Sequence, residues 1–208
     1  MKLSMTLLLS LFLCLNGHAA GKSRTVKRTA KNVFEGVQAI GTWEGDCRSS
    51  SLLKLSYRPF YTFKGDAFTM TEEYYSNKDC HNPAIRIQYK GTYDIRSDVG
   101  DGAKEINLAY NGAYVEPLND SGKNALEKSG YCGYKHWNVG QLRDITADTQ
   151  QTLCPVSEIP YVEYNIFRVD NDRLYLGKSS LFSSLKQRSN RPSQLEIKRP
   201  FRKSEQTF

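Results

Sequence analysis

The chain has 208 residues, with 29 Lys and Arg against 22 Asp and Glu and a formal net charge of +7. Its longest apolar run, Leu7 to Leu15, falls short of the ~20 residues that cross a bilayer, which argues against a membrane anchor. The positive balance favours acidic partners such as lipid headgroups, polysaccharides or anionic proteins, and in an exported chain nucleic acid is not among them.

Export is read from the first twenty residues. Lys2 supplies the positive end, the apolar run follows, and Asn16-Gly17-His18-Ala19-Ala20 breaks it with small residues suited to cleavage. Residues 1–20 are therefore expected to be a signal peptide. A lipoprotein anchored through Cys14 is the rival reading, but Leu13 stands where a small residue is expected. About 188 residues follow, enough for one ordinary domain with its own core. Removing Lys2 lowers the positive charge by one. Residues 21–36 form a basic arm in which Lys22, Arg24, Lys27, Arg28 and Lys31 have almost nothing apolar between them, as in a solvated tail or a patch for an anionic surface. A short helical piece fits Asn32 to Gly36.

From Val37 the pattern has period two. Gly41-Thr42-Trp43 opens a first strand. Tyr57 to Phe63 and Phe68 to Tyr75 flank Lys64-Gly65-Asp66-Ala67, which predicts a hairpin. Ile85, Ile87, Tyr89, Gly91, Tyr93 and Ile95 share one face of the next strand, with Arg86, Gln88, Lys90, Thr92 and Asp94 on the other. Ile106, Leu108, Tyr110, Gly112 and Tyr114 repeat it. Leu118 to Lys128 reads as a long loop, with a helical turn around Leu142. Tyr161 to Val169 and Arg173 to Leu176 flank Asp170-Asn171-Asp172 as another hairpin. Ser179 to Pro192 is a second long loop, and Leu195 to Phe201 a last strand. The binding domain is thus bounded at 37–203, with a tail at 204–208.

Seven or eight antiparallel strands bury one face either as a sandwich or by curling into a barrel. Glycines in mid-strand and a tyrosine-rich inward face favour an all-β antiparallel barrel or half-barrel, lipocalin-like, because tyrosine hydroxyls want partners that a dry sandwich lacks. In that arrangement Trp43 is buried at one end of the barrel, near Arg191 of the Arg191-Pro192 pair. The inward aromatics either line a cavity or simply fill the core.

Cys47, Cys80, Cys132 and Cys154 lie beyond the signal segment, and an even number in an exported chain reads as two disulfides. No Cys-x-x-Cys spacing suggests a metal, and none is expected. Pairing Cys47 with Cys80 and Cys132 with Cys154 closes the two shortest loops; the other two connectivities remain possible. Catalysis finds little support. His81 and His136 stand outside any nucleophile motif, and Glu72 and Glu73 point to opposite faces of a strand. Neither an enzyme nor a cofactor is expected. Asn119-Asp120-Ser121 is an acceptor triplet for a glycan.

The order and spacing of several short motifs resemble the adenomatosis polyposis coli down-regulated domain family. These are Gly41-Thr42-Trp43 with Cys47, Tyr61-Thr62-Phe63, Glu73-Tyr74-Tyr75 and Asp79-Cys80-His81-Asn82-Pro83. They continue with Cys132-Gly133, Trp137-Asn138-Val139-Gly140, Asp144-Ile145-Thr146 with Cys154, Tyr164-Asn165-Ile166-Phe167 and Arg191-Pro192. The resemblance runs from Gly41 to about Pro192. Vertebrate members carry two copies of the domain and a membrane tether and antagonise Wnt signalling; this chain has one copy and no tether. The resemblance implies a barrel with an apolar pocket for a lipid or for the acyl group of a lipidated protein, Wnt included. Alternation then gives the candidate lining as Phe68, Met70, Tyr74, Ile85, Ile87, Tyr89, Tyr93, Ile106, Leu108, Tyr110 and Phe167. The alternative is a module with a filled core that binds a protein or an anionic surface.

Overall fold

The structure, a computed structural model, describes residues 39–49, 55–150, 154, 156, 158–178 and 184–205. The expected signal peptide, the basic arm and the helical piece at 32–36 lie outside the described residues. Among the described residues ten strands follow one another: β1 (Gly41–Glu44), β2 (Arg48–Ser49), β3 (Ser56–Lys64), β4 (Ala67–Tyr75), β5 (Ile85–Gly100), β6 (Ala103–Pro117), β7 (Arg143–Asp144), β8 (Tyr161–Asp170), β9 (Arg173–Leu176) and β10 (Phe201–Ser204). All pair antiparallel. Because β1 bonds β10 on one side and β3 on the other, the sheet closes into an eight-stranded barrel, to which β2 and β7 are short additions. Closure satisfies the strand edges that an open sheet would leave to water.

Turn chemistry sets the hairpins. Lys64 pairs Ala67 across Gly65-Asp66, with Gly65 in the left-handed region at φ 61°. Asp170 pairs Arg173 across Asn171-Asp172, and Asn171 takes φ 55°. Both expected hairpins form. Inward positions then run in register around the barrel, from Tyr61 on β3 to Met70 on β4 and Tyr89 on β5.

One bulge changes the outcome of the alternation. Gly91 lies opposite Tyr110 but Lys90 lies opposite Gly112, so Asn111 is an extra residue on β6. Before it Ile106, Leu108 and Tyr110 face inward; after it Ala113 and Val115 do. The expected continuation through Gly112 and Tyr114 therefore fails, as a one-residue bulge must make it. Tyr114 lies with the Lys90 ammonium 4.5 Å from its ring centre. Gly91 does face inward, where a Cβ would stand 2.0 Å from the Ala109 carbonyl oxygen.

The core is in two parts. One packs Trp43, Tyr61, Phe63, Phe68, Ile106, Leu108, Tyr110, Phe167, Leu174 and Phe201 at the end where the barrel closes. The other sets Tyr74, Ile85, Ile87, Ala113 and Val115 against the segment between β6 and β8, which contributes Leu126, Tyr131, Trp137 and Ile145. Both expected disulfides are present, Cys47–Cys80 and Cys132–Cys154. No helix among the described residues is long and apolar enough to cross a membrane.

Three expectations are corrected. The loop at Leu118 to Lys128 is a helix, α1 (Asp120–Ser129), started by the Asn119 side chain, which accepts from Gly122 N at 3.0 Å, and stopped by Gly130 at φ 61°. Around Leu142 there is no helix: Arg143 and Asp144 pair with Val115 and Tyr114 as β7. The last strand begins at Phe201, six residues later than expected, because Pro200 has no N–H for a ladder; Leu195 makes a lone bridge to Gly177.

Candidate functional site: a cavity inside the barrel

Between the two parts of the core the barrel is not filled. A cavity of about 510 Å³ is bounded by inward residues of β3 (Tyr57, Pro59, Tyr61), β4 (Met70, Glu72), β8 (Glu163, Asn165) and β9–β10 (Leu176, Phe201). Arg48, Gly177, Leu185, Glu196 and Arg199 complete its wall. A second hollow, bounded by Asp46, Cys47, Arg48, Ser49, Tyr57 and Arg199, shares Arg48, Tyr57 and Arg199 with it. The two therefore meet at these three residues.

The wall carries a polar layer. The Tyr110 hydroxyl donates to Glu163 Oε2 at 3.2 Å, and Asn165 Nδ2 donates to Glu163 Oε1 at 2.7 Å. Asn165 Oδ1 in turn accepts from Gly177 N at 3.0 Å, which fixes the amide. Across the barrel the Tyr74 hydroxyl donates to Glu72 Oε2 at 2.6 Å. No Lys, Arg or His among the described residues forms an ion pair with either carboxylate. Burial raises the pKa of both, partly offset at Glu72 by the Tyr74 hydroxyl and the charge of Arg48, and at Glu163 by Asn165 and Tyr110. Tyr61, Tyr89 and Tyr110 are pushed far above the ordinary tyrosine value, first by burial. They stay protonated, and Tyr110 serves Glu163 as a neutral donor.

Glu72 and Glu73 face opposite ways, as alternation requires. Glu73, on the outer side, pairs with Arg86 at 2.9 Å and accepts from the Tyr75 hydroxyl at 2.8 Å. Among the described residues no group of three His, Cys, Asp or Glu side chains stands together.

Of the eleven residues expected to line a pocket, Met70 bounds this cavity. Phe68, Ile106, Leu108, Tyr110 and Phe167 belong to the packed end around Trp43, with Tyr93 against it. Tyr74, Ile85 and Ile87 belong to the other part, and Tyr89 touches both. Trp43 is buried as expected, 1% exposed, with its indole N–H donating to Ala39 O at 2.8 Å. Arg191 does not close the barrel over it. Its guanidinium lies outside the sheet, donating to Ile106 O and Asn165 O and, at 2.7 Å, to Asn107 Oδ1, because that is where unused acceptors of β6 and β8 converge. The Asn119 amide nitrogen that a glycan would take donates to Pro83 O at 3.1 Å, so this side chain is committed to capping α1.

Sequence reasoning missed Glu72 and Glu163 as wall residues. The signal was present, since Tyr161, Glu163, Asn165 and Phe167 alternate on one face. An acid and an amide on an otherwise aromatic face mark either a polar partner or a cavity. The sequence matches no protein-family model and no curated protein.

Proposed function

We propose that this chain is an exported, non-catalytic binding module whose barrel takes up a ligand with an apolar chain, either a free lipid or an acyl group carried by a protein. The cavity carries the reading. Its volume, about 510 Å³, falls in the ~300–1,000 Å³ range of small-molecule sites, and aromatic rings with Met70 supply its apolar wall. Ten buried methylenes would contribute about 8 kcal/mol before the cost of association is subtracted, so micromolar binding also needs a contribution from the polar end of the ligand. Export is supported by the leader-like first twenty residues and by the two disulfides. The resemblance to the adenomatosis polyposis coli down-regulated domain supports the same class of ligand.

The competing reading, a surface module for a protein or anionic partner, is favoured by the packing of most of the eleven expected residues against one another. A neutral fluorescent probe, N-phenyl-naphthylamine, separates the two. Saturable uptake at one probe per chain, lost in a folded Met70→Asp variant, is the expected result. Absence of uptake, or a variant that binds as well as the native chain, transfers the function to the surface.

A further inference from the structure

We infer that the cavity selects a ligand whose polar end is an organic cation, an alkylammonium held between Glu72 and Glu163 with its chain on the aromatic wall. This rests on the binding reading above and adds the charge of the ligand to it. Three observations carry it. First, two carboxylates from opposite strands, β4 and β8, bound one cavity inside a closed barrel. Second, neither is neutralised by an ion pair among the described residues, although both are half-buried and an unpaired, partly desolvated carboxylate is costly. Their hydrogen-bond donors among the described residues are neutral, one at Glu72 from Tyr74 and two at Glu163 from Tyr110 and Asn165. Third, Tyr57, Tyr61 and Phe201 share the same wall, and ring faces attract an alkylammonium as they do lysine.

The cavity also has two arginines and a third carboxylate on its wall, and the buried Nε of Arg48 has no hydrogen-bond partner among the described residues. Arg48 sits 5.7 Å over the Phe201 ring and offsets Glu72 in part. Arg199 and Glu196 bound the cavity from the 196–199 segment, with Arg199 exposed. Among the described residues no cation pairs with Glu163, so it is the principal partner, and a carboxylate-headed lipid entering past Arg48 would meet it with repulsion. An ammonium ion supplies what burial has taken from both groups. Binding then requires ionised carboxylates, and the preference for a cation weakens as pH falls through their raised pKa values.

The experiment uses the full chain and three ligands of equal chain length below their micelle concentrations: dodecyltrimethylammonium, dodecanol and dodecanoate. Each is titrated by displacement of N-phenyl-naphthylamine and by calorimetry. The trimethylammonium group keeps its charge at every pH, so any pH dependence belongs to the protein. The expected result is binding of the cation about tenfold or more tighter than the alcohol near neutral pH, with dodecanoate weakest. The ratio of cation to alcohol affinity should shrink in acid and should fall in Glu163→Gln. If dodecanol binds but the cation has no advantage, or dodecanoate binds best, the charge inference is overturned and the binding module stands. If none of the three displaces the probe, both are overturned. Should Glu163→Gln fail to fold, the pH series on the native chain decides alone: an advantage flat with pH refutes the role of the carboxylates.

Discussion

Single side chains hold the closing end of this barrel and set its response to pH. Trp43 is wedged among Tyr61, Phe63 and Phe201 and anchored through its indole N–H. Trp43→Ala should cost about 3–5 kcal/mol, the usual range for a buried aromatic, and urea titration of the two proteins measures it. An unchanged midpoint would mean that the ring does not support the closure. Glu163 gives a prediction of opposite character. Its folded pKa lies above the unfolded value of 4.5, so the folded chain holds the proton more tightly. The stabilising contribution is therefore complete below about pH 4.5 and is lost as pH rises through the folded value. Glu163→Gln stays neutral throughout, so its stability relative to the native chain should improve steadily from acid to neutral pH. Gln offers one acceptor to two donors, Tyr110 and Asn165, which shifts the whole difference but leaves its slope intact. Parallel stability curves for the two proteins would refute the assignment.

At the scale of elements, helix α1 sets propensity against packing. Gly122 lies in its first turn, and a Cβ there would stand 1.9 Å from the Ala84 carbonyl oxygen. Helix propensity alone predicts that Gly122→Ala stabilises by ~1 kcal/mol. Contact with the backbone before β5 predicts the reverse, because a carbonyl cannot swing aside like a side-chain end. We expect net destabilisation, and more than the ~1–2 kcal/mol lost in Asn119→Ala, where the cap and the bond to Pro83 O go. Thermal melts of both variants rank them; a more stable Gly122→Ala would show that α1 slides freely on the strand. The same helix marks the limit of what the sequence discloses. Strands were legible because alternation repeats over many residues, as along Ile85 to Tyr93. The helix was not, because only Gly122 and Leu126 are buried in an otherwise polar segment. Asn119 and Gly130 were the readable signs, a cap at each end with no apolar stripe between. The Asn111 bulge was invisible for another reason: one extra residue leaves no mark in composition, yet it moves the inward face to Ala113 and Val115. The cavity was half legible. Alternation put Met70 inward and, extended back from Phe167, would have put Glu163 there too, but whether an inward face meets another or leaves a space depends on the register of strands far apart in the chain.

For the whole molecule, two disulfides secure different parts. Cys47–Cys80 ties the β1–β2 connection to the segment after β4, across 33 residues, while Cys132–Cys154 staples the segment that covers the second part of the core, across 22. Chain-entropy reasoning gives each about 3–4 kcal/mol and separates them by only a few tenths, because the cost grows with the logarithm of loop length. Their structural consequences differ far more. The barrel end around Trp43 has continuous strand pairing from β1 to both β3 and β10 and needs no staple to stay closed. The covering segment has α1, the two-residue β7 and short turns, so its place over Ile85 and Ile87 depends on Tyr131, Trp137 and Ile145 remaining together. The two tryptophans report the two regions separately. In a Cys132→Ser, Cys154→Ser variant, Trp137 observed alone in a Trp43→Phe background should shift to the red at lower urea than Trp43 observed alone in a Trp137→Phe background. With Cys47 and Cys80 replaced instead, the two probes should move together. Coincident transitions in the first variant would show that the covering segment and the barrel unfold as one unit with or without its staple.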